Sequence, residues 1–360
     1  MTTTVVPFGP QHPVLAEPIQ LQLTLEDEVV RDALLGLGYV HRGIEAETER
    51  RSFEKDLALL ERVCGICSVA HGVAYAQAVE ALAEVEIPRR ARLLRVLFFE
   101  LTRLHSHLLW LGLAGDAIGF EALFQTCWRV REGILDLFAA TAGNRVIIST
   151  TAVGGSRVDL PAAKESLVRD ALDAAERGLG EIAPFVFGNE GVAERLAGVA
   201  TLTHEDALAL GAVGPVARAS GVATDVRLSG YAAYDELEFE PIVLTGGDIL
   251  ARVVVRWQEM VQSISLCRQA LDRLRGLPGP IRVHLPPVLR GEATSRVEAP
   301  RGELFYYIAA DGERHPTRVR VRAPTYANLP VVLHLLPGAQ MAAVPITLLS
   351  IDPCLSCTER

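Results

Sequence analysis

Glu61-Arg-Val-Cys-Gly-Ile-Cys-Ser-Val-Ala-His71 and Ser350-Ile-Asp-Pro-Cys-Leu-Ser-Cys-Thr-Glu-Arg360 each carry a Cys-x-x-Cys pair, Cys64/Cys67 and Cys354/Cys357. Together they hold four of the six cysteines of a 360-residue chain. Gly65 permits a tight turn, so both sulfurs of the first pair can face one ion. Four thiolates at one point make a soft pocket suited to nickel, iron or zinc. A structural zinc normally joins two nearby knuckles in a small module, and these pairs lie far apart. A thioredoxin-like dithiol needs one pair after a strand of a βαβ unit, and no such unit is visible. The tail pair follows a β-like run, Val344 to Leu349, and the rigid Pro353, so a metal is expected to tie it down. The fold must therefore bring the tail back against the inner pair.

Bulk properties narrow the partners. The chain is 49% hydrophobic and 22% charged, an ordinary globular composition. A net charge of -9 and the absence of a basic run exclude a nucleic-acid surface. The N-terminus has neither a basic segment ahead of an apolar core nor a twin-arginine pair. The longest apolar stretches, Pro330 to Leu336 and Met341 to Leu349, are too short to span a bilayer. A cytoplasmic protein is expected, one that can dock on a membrane partner. Six cysteines in so long a chain are no secreted disulfide framework.

Outward from the cysteines, hydrophobic spacing sets the elements. Ile19, Leu21, Leu23 and Leu25 alternate in a half-buried strand over 18–30, with a second strand near Val29 to Leu35. Residues 54–82 read as helix broken by the Cys64–Cys67 turn. Leu93, Leu97, Leu101, Leu104 and Leu108 place a long buried helix over 91–113, and further helices are expected at 121–141, 161–180, 204–211 and 246–275. Gly and Pro cluster at 276–287 as a loop. Phe305-Tyr-Tyr-Ile-Ala-Ala, the turn Asp311-Gly312 and Arg318-Val-Arg-Val-Arg make a hairpin. The predicted class is α+β, mainly helical. A central bundle of long helices is flanked by small antiparallel sheets, with both Cys-x-x-Cys motifs buried together. One domain is expected over 1–360: an N-terminal β region (1–45), a helical body (46–280), and a β hairpin with a metal-binding tail (281–360).

Arg-x-Cys-Gly-x-Cys-x-x-x-His and the terminal Asp-Pro-Cys-x-x-Cys-x-x-Arg resemble the two metal motifs of nickel–iron hydrogenase large subunits. Gly9-Pro-Gln-His-Pro13, His41-Arg-Gly-Ile-Glu45, Glu298-Ala-Pro-Arg-Gly-Glu303 and Arg322-Ala-Pro-Thr-Tyr-Ala-Asn328 resemble the membrane-bound, energy-converting (Ech-like or CO-induced) subgroup. Gly214 to Asp225 is shared in style with the nickel-free homologue in respiratory complex I. The resemblance implies that Cys64 and Cys354 are terminal nickel ligands and that Cys67 and Cys357 bridge nickel to iron. It also implies one carbonyl and two cyanides on the iron, and heterolytic cleavage of dihydrogen at the pair.

Four further residues take roles from the same resemblance. Glu45, by itself one of an acidic run with Glu47, Glu49 and Glu54, becomes the next proton acceptor, with a pKa raised by partial desolvation. Arg301 becomes the guanidinium over the iron ligands. Asp352, otherwise a turn-capping Asp-Pro, stands beside the site and holds Arg301. His71, four residues after Cys67, shares its helical face and can hydrogen-bond a bridging sulfur. His105 and His107, two apart, point to different faces and read as packing residues. Cys127 and Cys267 read as lone buried thiols. Arg360 stands where many of these subunits have His, so no additional magnesium or iron site is expected.

Complex I-like quinone-site or coupling subunits are the nearest rival, but they lack the four thiols and follow Gly-Pro-Gln-His-Pro with Ser-Thr-His-Gly, where this chain has Val14-Leu15-Ala16-Glu17. A zinc-stabilised scaffold is a third reading. No cysteine set remains for an iron–sulfur cluster in this chain. The resemblance therefore implies a small subunit with a 4Fe-4S cluster, a ferredoxin-like carrier and integral membrane, antiporter-like subunits. It places the chain at the cytoplasmic face of the membrane.

Overall fold

The computed structural model describes residues 3–13 and 15–360. Strands β1 (Thr3–Phe8), β2 (Gln20–Glu26) and β3 (Val29–Gly36) form an antiparallel sheet in the order β1-β2-β3. Asp27 and Glu28 between β2 and β3 both have positive φ (47° and 66°), which matches a two-residue hairpin turn. Ile19, Leu21 and Leu23 are fully buried, as their alternation predicts.

Short helices α1 (Ile44–Thr48) and α2 (Phe53–Leu60) lead to the first cysteine turn, and α3 (Ser68–Leu82) leaves it. Helices α4 (Arg89–Ala117) and α5 (Glu121–Ala142) follow, then the two-residue strands β4 (Thr151–Ala152) and β5 (Gly155–Ser156). Next come α6 (Ala162–Phe187), α7 (Glu190–Leu196), α8 (His204–Ala209), α9 (Gly214–Ala219) and α10 (Ile249–Leu274). Helix α4 is the axis of the molecule, packed between α10 and α5, with α6 outside α5. Asp248 caps α10 by accepting from the Ala251 N–H.

The last part holds β6 (Arg290–Ala299), β7 (Gly302–Asp311) and β8 (Arg318–Arg322) in a three-stranded antiparallel sheet, then α11 (Pro324–Leu335), α12 (Val344–Ser350) and α13 (Leu355–Glu359). The β7–β8 hairpin is the expected one, and β6 extends it into a meander. The run Val344 to Leu349 is helical, not β-like. Pro345 stands in the first turn of α12, where a missing N–H costs nothing, and six of that helix's seven residues are buried.

The core carries charge. Glu100, Arg103, Arg218, Arg227 and Glu259 are essentially inaccessible. Arg218 reaches Glu259 at 2.7 Å and Glu298 at 2.8 Å, and Arg227 reaches Asp225 at 2.7 Å. Arg103 pairs with Glu100 at 3.1 Å, so each of these five charges has a partner of opposite sign, as burial demands. Arg103 donates to the carbonyls of Glu298 (2.6 Å) and Ala299 (3.3 Å), which anchors the end of β6 on α4.

Candidate metal centre

The chain's tail is locked into the body. The Trp110 indole N–H donates to the Leu349 carbonyl at 2.8 Å, Arg252 to Ser350 Oγ at 2.8 Å and Arg256 to the Ser350 carbonyl at 3.2 Å. Arg42 donates to the carbonyls of Arg62, Val63 and Ser356, tying the two cysteine turns to each other. Thr325 Oγ1 accepts the Cys354 N–H at 3.0 Å.

These restraints bring the thiols together. Cys354 Sγ lies 3.4 Å from Cys64 Sγ and 3.0 Å from Cys357 Sγ. The three sulfurs lie within 4.8 Å of one another and all three residues are buried. Cys67, also buried, lies outside that group of three and takes a hydrogen bond from Arg301 Nη1 at 3.1 Å. Hydrogen bonds from Cys354, Cys357 and Cys67 pull the Cys64 pKa well down, burial opposing and Arg301 assisting. The hydrogen bond with Cys354 heads the causes that push Cys357 up. Of these three thiols, ionisation therefore begins at Cys64.

Arg301 occupies the two-residue turn Pro300–Arg301 between β6 and β7. Its Nε donates to the Asp352 carbonyl at 2.9 Å and its Nη2 pairs with Asp352 Oδ1 at 2.9 Å. Burial opposes its charge, but Asp352 and the cluster thiolates outweigh burial, so it stays cationic. Behind it, a Cβ on Gly214 would lie 2.5 Å from the Arg301 carbonyl oxygen, so α9 can start there only with glycine. Asp352 adopts a positive φ of 55°, and its Oδ2 is buried without a hydrogen-bond partner. His71 Nε2 lies 3.3 Å from Cys357 Sγ, and Nδ1 lies 2.6 Å from the Tyr306 hydroxyl. Burial lowers its pKa to about 4, so the imidazole is neutral and carries one N–H.

A cavity of about 420 Å³ opens beside the cluster, lined by Cys64, Cys354, Arg301 and Asp352 with apolar Leu15, Ile66, Leu109 and Leu113. Its other carboxylate is Glu17, which sequence reasoning missed. Glu17 accepts from the N–H groups of Leu355 and Ser356 and from the Ser356 hydroxyl, fixing the start of the tail helix. Glu45 is differently placed. It does not line this cavity, and it takes Arg360 Nε at 2.6 Å, Arg320 Nη1 at 2.8 Å and the Val321 N–H at 2.9 Å. Partial burial raises its pKa, but those bonds outweigh burial and hold the carboxyl below its ordinary range. That corrects the raised value expected for it.

The remaining expectations resolve as structure. His107 Nε2 bonds to Glu259 at 2.8 Å and His105 Nε2 to Arg131 at 2.7 Å, both deep in the core. Cys127 and Cys267 are buried, and burial pushes both thiols up. No helix among the described residues is long and apolar enough to cross a membrane.

Residues 42–112 match the family described as nickel-dependent hydrogenase. Residues 117–289 and 283–360 match that of the 49-kDa subunit of the respiratory-chain NADH dehydrogenase. The carbon monoxide-induced hydrogenase of Rhodospirillum rubrum is 39% identical over 364 residues, covering 100% of both chains. An NADH-quinone oxidoreductase subunit of Roseiflexus sp. is 35% identical, covering 99% of this chain and 93% of its own. Among solved structures, a chain of the membrane-bound sulfane sulfur reductase, an archaeal respiratory membrane complex, superposes with a TM-score of 0.94. It is 35% identical, over 99% of this chain and 98% of that one.

Proposed function

The chain belongs to the family that joins nickel-dependent hydrogenase large subunits to the 49-kDa subunit of respiratory NADH dehydrogenase, and we propose that it is the catalytic large subunit of a nickel–iron hydrogenase. The observation that carries this reading is the convergence of the tail thiols on Cys64, 3.4 Å and 3.0 Å apart along the Cys64–Cys354–Cys357 line, beside a cavity. A nickel-free coupling subunit has no physical need for buried, unbridged thiols in contact.

The donor set fits a nickel–iron pair. Cys64, Cys67, Cys354 and Cys357 would hold it, with one carbonyl and two cyanides on the iron. When bound, the pair supplies Lewis acidity that polarises dihydrogen while a thiolate takes the first proton. Every other part is the protein's own. Arg301, fixed by two bonds to Asp352, keeps a permanent cation against Cys67. His71, neutral, can donate to the Cys357 sulfur and temper its basicity. The proton acceptor expected at Glu45 is reassigned to Glu17, because Glu17 lines the cavity with Cys64 and Cys354. Glu45 instead clamps Arg360 and so the tail.

Electrons leave through a partner in this reading, since Cys127 and Cys267 are isolated buried thiols. That partner is a small subunit with a 4Fe-4S cluster, linked to a ferredoxin-like carrier. Integral, antiporter-like membrane subunits hold the assembly at the cytoplasmic face. Metal analysis and infrared spectroscopy of the complex purified with its partners test the assignment. Nickel plus iron, with carbonyl and cyanide bands, is the expected result. No metal would establish the coupling-subunit reading, and zinc alone the scaffold.

A further inference from the structure

The buried face of α10 is polar. Arg252, Arg256, Glu259 and Ser263 recur at three- and four-residue spacing, so they share one stripe, and all four are sealed from solvent. The stripe meets α4 rung by rung, rising numbers on one helix against falling numbers on the other. Ser263 Oγ donates to Glu100 at 2.6 Å, and Glu259 Oε2 lies 2.8 Å from His107 Nε2. The Arg256 guanidinium lies over the Trp110 ring, 3.9 Å from its centroid. There the seam runs into the chain's tail. Arg256 Nη2 donates to the Ser350 carbonyl at 3.2 Å and Arg252 Nη1 to Ser350 Oγ at 2.8 Å, just ahead of Asp352.

These last two rungs lack an anion. Arg103, Arg218, Arg227 and Arg301 each have a carboxylate oxygen within 3.1 Å. Among the described residues, no carboxylate stands in ion-pair reach of Arg252 or Arg256. Their partners are carbonyls, one hydroxyl and one ring, and each Nε is buried without any. Burial pushes Arg252 down to about 9, with Arg256 adding to it and Asp248 opposing. Burial pushes Arg256 down to about 10, against Asp352 and Glu259. Both therefore stay cationic at neutral pH. Two adjacent guanidiniums without a counter-ion are unfavourable to bury, and apolar side chains would fill the same space at lower free energy. Groups nearer the cysteines do not supply the missing anion. Arg301 and Asp352 neutralise each other, and Glu17 and Arg42 on the cavity wall are of opposite sign.

Resting on the hydrogenase reading, we propose that Arg252 and Arg256 are positioning residues that hold the tail at Ser350 and supply the counter-charge of the loaded metal centre. Divalent nickel and iron do not cancel four thiolates and two cyanides, so the loaded centre keeps a net charge of about −2. Two cations in excess match it. Arg256 feels both Asp352 and Arg301, which line the cavity with Cys64 and Cys354, so its field reaches the site through a core that screens little. Adding an electron makes the centre more negative, so a cation held there favours the reduced form.

The test compares the complete purified complex with its Arg256→Met, Arg256→Lys and Arg252→Met variants. Nickel and iron are measured in each, and the midpoint potential is titrated while infrared spectroscopy follows the carbonyl and cyanide bands. Arg256→Met should lower the one-electron midpoint by about tenfold in the redox equilibrium, or ~59 mV. Arg252→Met should shift it the same way and stands in should Arg256→Met not assemble. Arg256→Lys keeps the charge and loses the planar fork, so it should move the equilibrium by less than about twofold. A Met variant that assembles but loses metal the Lys variant retains supports the same conclusion. Metal-loaded Met variants that titrate like the parent overturn this inference alone. So do Lys and Met variants that are equally shifted or equally stripped of metal, which leaves the two arginines as hydrogen-bond ties of the tail. A parent complex without nickel overturns the reading beneath it, and metal analysis shows that separately.

Discussion

The pairing of Arg301 with Asp352 yields a quantitative test of what holds the site before any metal arrives. Their guanidinium and carboxyl are 2.9 Å apart, each with about 7% of its side chain exposed. Arg301→Met keeps the volume and removes the cation. It leaves Asp352 Oδ1 as orphaned as Oδ2 already is, and strips the Cys67 sulfur of its donor. Stranding one partner of a buried pair costs ~3–5 kcal/mol. Asp352→Asn keeps a residue that tolerates the positive φ of 55° while removing the charge, and strands the guanidinium in turn. In the double variant neither charge is stranded, so its cost should fall short of the sum by ~2–3 kcal/mol. Equilibrium urea unfolding followed by far-ultraviolet circular dichroism reads all three costs. If the single effects add to within ~0.5 kcal/mol, the two groups are not coupled, and the account of Arg301 as a cation fixed by Asp352 is refuted.

Glu17→Ala should loosen the tail selectively. Removing an anionic acceptor of two N–H groups costs ~1.5–3 kcal/mol per bond, read as faster amide hydrogen exchange at Leu355 and Ser356 with little change in α4. Asp56 should make stability fall with rising pH. Its folded pKa of about 8 lies above the unfolded value of 3.8, so the penalty is absent below about pH 4 and complete above about pH 8. Asp56→Asn should therefore raise the melting temperature at high pH and hardly at all at low pH. Equal shifts at both ends would remove the assignment of Asp56 as a neutral, buried acid.

How much of this was legible in the chain depends on the range of the interaction involved. The α4 helix, the broken helix at Cys64–Cys67 and the β7–β8 hairpin were readable because spacing and turn residues act locally. The helix Val344–Ser350 was misread because a short apolar run looks alike as buried strand or helix, and Pro345 in the first turn was the available signal. Strand β6 went unseen because charged residues interrupt it and its partner is β7. Glu17 offered no signal at all. Its contacts are with Leu355 and Ser356, at the far end of the chain.

The covalent sequence by itself determined the chemistry on offer: four soft donors in two pairs, a glycine that lets one pair turn, and an arginine and aspartate set in loops. Only the tertiary structure decided which acid stands by the thiols, that Glu45 is spent on Arg320 and Arg360, and that the Glu100, Arg103, Arg218 and Glu259 charges lie inside. The reason is physical. A side chain's type fixes what it can donate or accept, but its proton affinity and partners depend on burial and on neighbours that chain folding brings from hundreds of positions away.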